Sequence, residues 1–235
     1  MSNLFALLKF GSDGWGDELA AGALVTIALS LATLPVGLAA GFFVALGKQS
    51  ADPLIRVASQ IYTTIFRGVP ELLTLFLVYY GAQSGVSAIA GVFDVQIEIS
   101  PFFAGMVALG LVLSSYASEV FLSAFRGIAT GQYEAATALG LRRPQTVRLV
   151  IFPQLIRLAL PGLSNLWLNV MKDTALVSVI TLNDLLRQTT VAVGSAKQPF
   201  FLYGVACAIY LLLSVAASAG IWRVDVWSSR GVVRR

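Results

Sequence analysis

The sequence predicts an all-α fold, a polytopic membrane protein with five transmembrane helices, and three observations lead there. First, 57% of the 235 residues are hydrophobic and only 12% charged, against about 45–50% and about 25% in soluble domains. Too little polar surface is left to cover a water-soluble globule. Second, the apolar residues are gathered in long blocks free of Asp, Glu, Lys and Arg. Third, the basic residues are sorted between alternate connecting segments, as bilayer topology requires.

The spans follow from the need for about 20 apolar residues to cross the hydrocarbon core. The first, 19–46, carries no charge and stops short of Lys48. The second is expected over 54–93: Leu72–Phe93 is uncharged, and a helix begun near Leu54 carries Arg67 and Glu71 inside it. The third covers 101–126, with Glu119 in its second half. The fourth, 158–181, is interrupted by Lys172 and Asp173, and the fifth, 198–222, is uncharged as far as Trp222. Met1–Gly16 lacks the basic start, short apolar stretch and small-residue cleavage site of a removable leader. The first apolar block is therefore expected to be retained.

Five spans put the termini on opposite sides. One set of segments holds Lys48, Arg56, Arg126, Arg142, Arg143, Arg148, Arg157, Arg223, Arg230, Arg234 and Arg235; the other holds only Lys9, Arg187 and Lys197, beside Asp13, Asp17, Glu18, Asp94, Glu98 and Asp184. Cytoplasmic segments carry the excess of Lys and Arg, so the N-terminus is expected outside and the C-terminus inside. The basic tail then reads as an anchor, not a nucleic-acid arm, with Trp222 and Trp227 at the membrane surface.

Several chemistries are excluded. The sequence has no histidine, which removes the commonest metal ligand and general base. Cys207 is the one cysteine, so no intrachain disulfide forms, and it is expected as a small buried hydrophobe. No Gly-x-x-x-x-Gly-Lys-[Ser/Thr] phosphate cradle is present, and no Gly-x-Ser-x-Gly elbow of an intramembrane hydrolase.

The long inside segment, 127–157, reads Gly131-Gln132-Tyr133-Glu134-Ala135-Ala136-Thr137-Ala138-Leu139-Gly140-Leu141 and runs on to Phe152-Pro153. A helix from Gln132 to Leu139 can end at Gly140, the residue type that accepts a left-handed C-cap. Pro144 suits the first turn of a second helix. Two short helices meeting at a glycine corner would make a compact cytoplasmic knob, edged by Arg142, Arg143 and Arg148.

Glu134-Ala135-Ala136, three residues, Gly140, nine residues, Val150, one residue, Phe152-Pro153 resembles the EAA loop of bacterial ABC importer permeases, with Val150 and Phe152 replacing the usual isoleucine and leucine. The alternative is an ordinary amphipathic connector. Arg67-Gly68-Val69-Pro70, Phe76-Leu77-Val78-Tyr79-Tyr80-Gly81, Tyr116-Ala117-Ser118-Glu119, Leu160-Pro161 with Asn165, and Lys172-Asp173-Thr174-Ala175-Leu176-Val177-Ser178 are similar to the polar amino-acid branch of that family. Glu71 after Pro70, with Leu160-Pro161-Gly162, looks most like permeases for histidine, lysine, arginine and opines.

The resemblance implies the type I ABC importer permease fold in a bacterial inner membrane, surrounded by lipid. Glu134, Ala135, Ala136 and Gly140 would form the coupling helix that docks on cytoplasmic ATPase subunits. ATP and Mg would be bound by those subunits, and this chain would hold no cofactor. The other implied partners are a periplasmic solute-binding protein and a second homologous permease subunit, or a copy of this chain. The competing class is a stand-alone ion-coupled amino-acid carrier. Such carriers show internal repeats over more spans, and no repeat is visible here.

Ionisable groups inside a span line a cavity, pair with each other or carry function. Arg67, Glu71, Glu119, Lys172 and Asp173 are the five. Lys172 and Asp173 diverge by about 100° on a helix, so one can face a cavity while the other turns away. Glu71 and Asp173 are the expected substrate-facing pair, because a cation entering a low-dielectric cavity needs a carboxylate to offset its desolvation. Alternatively, Glu71 pairs with Arg67 one turn away, and Asp173 with a basic residue of another span. Arg67 and Glu119 are read as gating or structural. Asn165 and Asn169 follow a Pro-Gly interruption, and either face the substrate or bond between helices.

Overall fold

The computed structural model describes residues 4–11, 13–91 and 98–228. Asp94, Arg230, Arg234 and Arg235 lie outside the described residues, as do the side chains of Trp222 and Trp227. The described residues are helical, in the order α1 (Gly16–Lys48), α2 (Pro53–Gly68), α3 (Glu71–Gly91), α4 (Pro101–Gly127), α5 (Thr130–Ala138), α6 (Arg143–Thr146), α7 (Phe152–Asp173), α8 (Leu185–Ala196) and α9 (Pro199–Ser228). A 3-10 turn at Leu4–Leu8 precedes them, a π-helical turn at Val147–Ile151 joins α6 to α7, and a 3-10 turn at Thr174–Ile180 extends α7. Among the described residues, five helices are long and apolar enough to cross a membrane: Gly16–Lys48, Glu71–Ala90, Pro101–Gly127, Arg143–Ile180 and Pro199–Ile221.

The centre of the bundle is α4, the most buried of the five. Pro101 starts it, at a position whose missing N–H would have had no helical partner. Its inward residues are small, among them Ala104, Ala108, Ser114, Ser115, Ala117 and Ser118. In lipid, helices gain little from hydrophobic burial against one another, so close contact of small residues carries their association. The most extensive such contact is with α1. At Gly41 a β-carbon would lie 2.8 Å from both the Ala117 Cβ and the Ser114 carbonyl oxygen, so any side chain there forces α1 and α4 apart. Ser114, Ser115 and Ser118 donate to carbonyls three residues back, at 2.7 Å each, which keeps their hydroxyls satisfied away from water.

Two expected boundaries change. The single helix expected over 54–93 is split into α2 and α3. Val69 is extended (φ −91°, ψ 134°), because the Pro70 ring crowds the helical conformation of the residue before it. Only α3 of the two meets the length and hydropathy of a span. Likewise the helix that holds the expected fourth span begins before 158. Its helical path starts at Arg143 and runs to Ile180, so the second half of the expected two-helix knob is continuous with the helix that holds that span. Pro144 sits in the first turn of α6, where a missing N–H breaks no helical bond, and Pro153 follows directly on the π-helical turn at the start of α7.

A further helix, α8, lies in the segment expected as a plain connection between the fourth and fifth spans. Its N-cap, Asp184, is fully buried and accepts from the Arg187 and Leu186 amides at 3.0 and 3.3 Å. The Leu185 amide donates to Thr26 Oγ1 of α1 at 3.3 Å. Cys207 is exposed on α9, not buried, since an apolar helix in lipid needs no protein on its outer face.

Candidate functional site

A cavity of about 220 Å³ opens between α3, α4 and α7. Its apolar wall is Leu109, Val112 and Leu113 of α4 with Leu166 and Val170 of α7; its polar groups are Glu71, Tyr116, Asn169 and Asp173. Each helix contributes by its period. Leu109, Leu113 and Tyr116 are spaced four and three apart on α4, and Leu166, Asn169 and Asp173 three and four apart on α7, so each set forms one stripe. Glu71 is the first residue of α3, placed at the cavity by the break at Val69.

The Glu71 and Asp173 carboxyl groups line the same cavity, near enough to act on each other. Two like charges in one small space repel, and a cation between them would relieve that repulsion and gain charge-assisted hydrogen bonds. Lys172, next in sequence, is exposed and outside the lining. The lining therefore suits a small solute that carries a cationic group beside an apolar part.

Of the four residues expected at a substrate site, Glu71, Asn169 and Asp173 come together here, and Asn165 is exposed and outside the lining. The alternative partnership between Arg67 and Glu71 is absent, because the helix that would place them one turn apart is broken between them. Arg67 turns to α4: its Nη1 lies 3.2 Å from Glu119 Oε1 and its Cζ 5.5 Å from the Tyr116 ring centroid. Glu119 also accepts from Lys48 Nζ at 2.7 Å. Tyr116 is a lining residue that the charge-based search passed over; its place three residues before Glu119, on the same face of α4, was the available signal.

The second feature is the knob. At its corner Gly140 adopts φ 74°. The Gly140 amide donates to the Thr137 carbonyl at 2.9 Å and the Leu141 amide to the Ala136 carbonyl at 3.1 Å, a Schellman closure of α5. Ala136 is buried, while Glu134, Ala135 and the apolar Leu139 are exposed. A shallow concavity lies beside Tyr133, Glu134, Thr137 and Ala138. Such a face can accept a partner surface, with backbone geometry held by the glycine.

Comparison with known proteins places the chain. The family model for the binding-protein-dependent transport system inner membrane component matches residues 33–224. The nopaline transport system permease protein NocQ of Agrobacterium fabrum is 39% identical over 229 residues, covering 96% of this chain and 97% of that one. The histidine/lysine/arginine/ornithine transport system permease protein HisQ of Escherichia coli is 36% identical over 209 residues, covering 88% and 91%. A solved amino acid ABC transporter, crystallised with histidines, superposes with a TM-score of 0.77 at 30% identity, covering 90% of this chain and 94% of its own. The MetNI methionine transporter shares the fold at a TM-score of 0.70 and 17% identity. These relatives favour an ABC importer over a stand-alone carrier, and the chain belongs to the binding-protein-dependent transport system inner membrane component family, the permease subunits of ABC importers.

Proposed function

We propose that this subunit passes cationic amino acids, or opine-like compounds with a guanidinium or ammonium group, and that they bind in the cavity between Glu71 and Asp173. The facing carboxylates carry the reading, beside an apolar wall that would take the aliphatic part of the solute. Relatives named for nopaline, octopine, histidine, lysine, arginine and ornithine support it. Asn169 would orient the solute from the third side, and Asn165 has no part in the site. Arg67 and Glu119 act as a gate below it.

Energy would enter through the knob. Glu134, Ala135 and Ala136 on α5, held at Gly140, dock on a cytoplasmic ATPase subunit that binds ATP and Mg. A periplasmic solute-binding protein delivers the solute, and a second permease subunit or a copy of this chain completes the pathway. The 11-to-3 sorting of basic residues supports a periplasmic N-terminus and a cytoplasmic C-terminus.

Substitution Glu71→Gln keeps the shape and removes the charge. A charge-assisted hydrogen bond contributes about 1.5–3 kcal/mol, so arginine affinity of the assembled complex should fall about 10- to 150-fold. Binding of a neutral amino acid should change little. Equal loss for arginine and for glutamine would refute the cation site.

A further inference from the structure

A second opening lies along the same seam as the cavity. Toward the α5 end of α4 and α7, a wider groove is lined by Glu119, Ser123 and Gly127 on one side and Leu158 and Gly162 on the other. The lining of α4 continues without a change of face, from Tyr116 in the cavity to Glu119 in the groove and on to Ser123 and Gly127, in steps of three and four. On α7 the same holds from Asp173 through Asn169 and Leu166 to Gly162 and Leu158. Along the axis of α4, Tyr116 and Glu119 are only about 4.5 Å apart.

Arg67 reaches that junction from α2, touching one lining residue of each opening. Its guanidinium lies over the Tyr116 ring, the last group of the cavity, and bonds Glu119, the first group of the groove. Glu119 thus holds two cations of different standing. Lys48 is 4% exposed and reaches it at 2.7 Å, a buried partner. Arg67 is 45% exposed and reaches it at 3.2 Å, and exposed ion pairs and exposed cation–π contacts are weak. When Arg67 leaves, Lys48 still keeps Glu119 from being stranded, so the exchange costs little. Arg67 is also the penultimate residue of α2, next to the break, and its side chain is not walled in by a following helical turn.

We infer that Arg67 is a placeholder cation, which the solute's guanidinium or ammonium displaces from Tyr116 and Glu119 as it moves from cavity to groove. With no solute present, Arg67 fills the cation position and separates the two openings. With solute present, one cation replaces another of the same chemistry, and the junction opens without exposing an unpaired carboxylate. Glu119 with Tyr116 is then a second cation station, distinct from Glu71 with Asp173. The inference rests on the reading that the solute is cationic.

The sign of one binding constant tests it. Labelled arginine is titrated into the purified permease–ATPase complex without binding protein. Removing an internal competitor should tighten binding, so Arg67→Gln should lower the arginine Kd about 3- to 10-fold, and Arg67→Ala should do the same. Arg67→Lys, which restores a cation, should return the wild-type value. In a Glu71→Gln background, Arg67→Gln should still recover measurable arginine binding, because the second station does not use Glu71. A gate residue that only ties α2 to α4 would give an unchanged or weaker affinity in both charge-removing variants, and that result overturns the inference alone. Absence of arginine binding in the wild-type complex would instead remove the cationic-solute reading, and this inference with it.

Discussion

Lys48 Nζ, on the last residue of α1, lies 2.7 Å from Glu119 Oε1 on α4 and 3.2 Å from the fully buried Ser118 Oγ. A lysine that composition marks as a membrane-surface anchor is therefore turned inward, locking one end of the longest helix contact in the bundle. Removing one member of a buried pair leaves the other charge uncompensated. Because Glu119 keeps partial solvent access, Lys48→Met should cost about 2 kcal/mol, below the roughly 3–5 of a fully enclosed pair. Arg67→Gln, breaking the exposed pair, should cost under about 1 kcal/mol. Thermal unfolding of the two variants in detergent checks the order; equal shifts would contradict it.

Gly41 and Gly110 give opposite predictions for the same change. Gly41→Ala places a methyl 2.8 Å from α4 atoms and should destabilise by about 1–3 kcal/mol, the usual cost of overpacking. At Gly110 the nearest atom to an added methyl is Val36 Cγ1 at 3.6 Å, an ordinary contact. Alanine there should be neutral or stabilising by up to about 1 kcal/mol, as glycine is a poor helix residue. Midpoints measured side by side decide it.

Gly140 has φ 74° and open space around it, so a substitution meets only the backbone penalty, about 1–2 kcal/mol for an ordinary L-residue. Gly140→Val should reshape the α5 corner, lowering solute-stimulated ATP hydrolysis and transport together while membrane insertion is unaffected. Gly140→Asn, which tolerates positive φ, should retain much of both. Normal stimulated hydrolysis in the valine variant would show that the knob does not couple.

Asp184 caps α8 from a fully buried position, and burial pushes its carboxyl up to about 6. The folded state then holds the proton more tightly than the unfolded chain, whose carboxyl titrates near 3.8. Stability is at its full value below about pH 4 and is lost as pH rises through about 6, by an amount on the order of 2–3 kcal/mol. Asp184→Asn keeps the acceptor for the Arg187 amide and should flatten the unfolding midpoint between pH 4 and 7. Asp184→Ala should lower it at every pH, by about 1 kcal/mol or more.

The spans were legible because hydropathy acts over whole helices, and a bilayer enforces it on every turn. Their ends were less so. Pro70 announced the break after Val69, but the apolar block on its far side invited a longer helix. The 12 residues of α8 were missed because they are too short and too mixed to register as a span; only the Asp184 cap marked them. At the site, Glu71, Asp173 and Asn169 stood out as polar residues in apolar surroundings. Asn165 stood out equally, and sequence alone does not tell which face of α7 looks inward at a given turn. Lys48 and Tyr116 were hidden for the reverse reason, since each is ordinary at the place it occupies.

The helical path from Arg143 to Asp173, continuous through the π turn at Val147–Ile151 and past Pro161, puts the base of the knob and the cavity at two ends of one lever. Thirty residues at about 1.5 Å each give a lever about 45 Å long. A tilt of about 5° at its foot would carry its far end about 4 Å, further than a hydrogen bond can stretch. A small rocking of a partner docked on α5 would thus be enough to part Asp173 from Glu71.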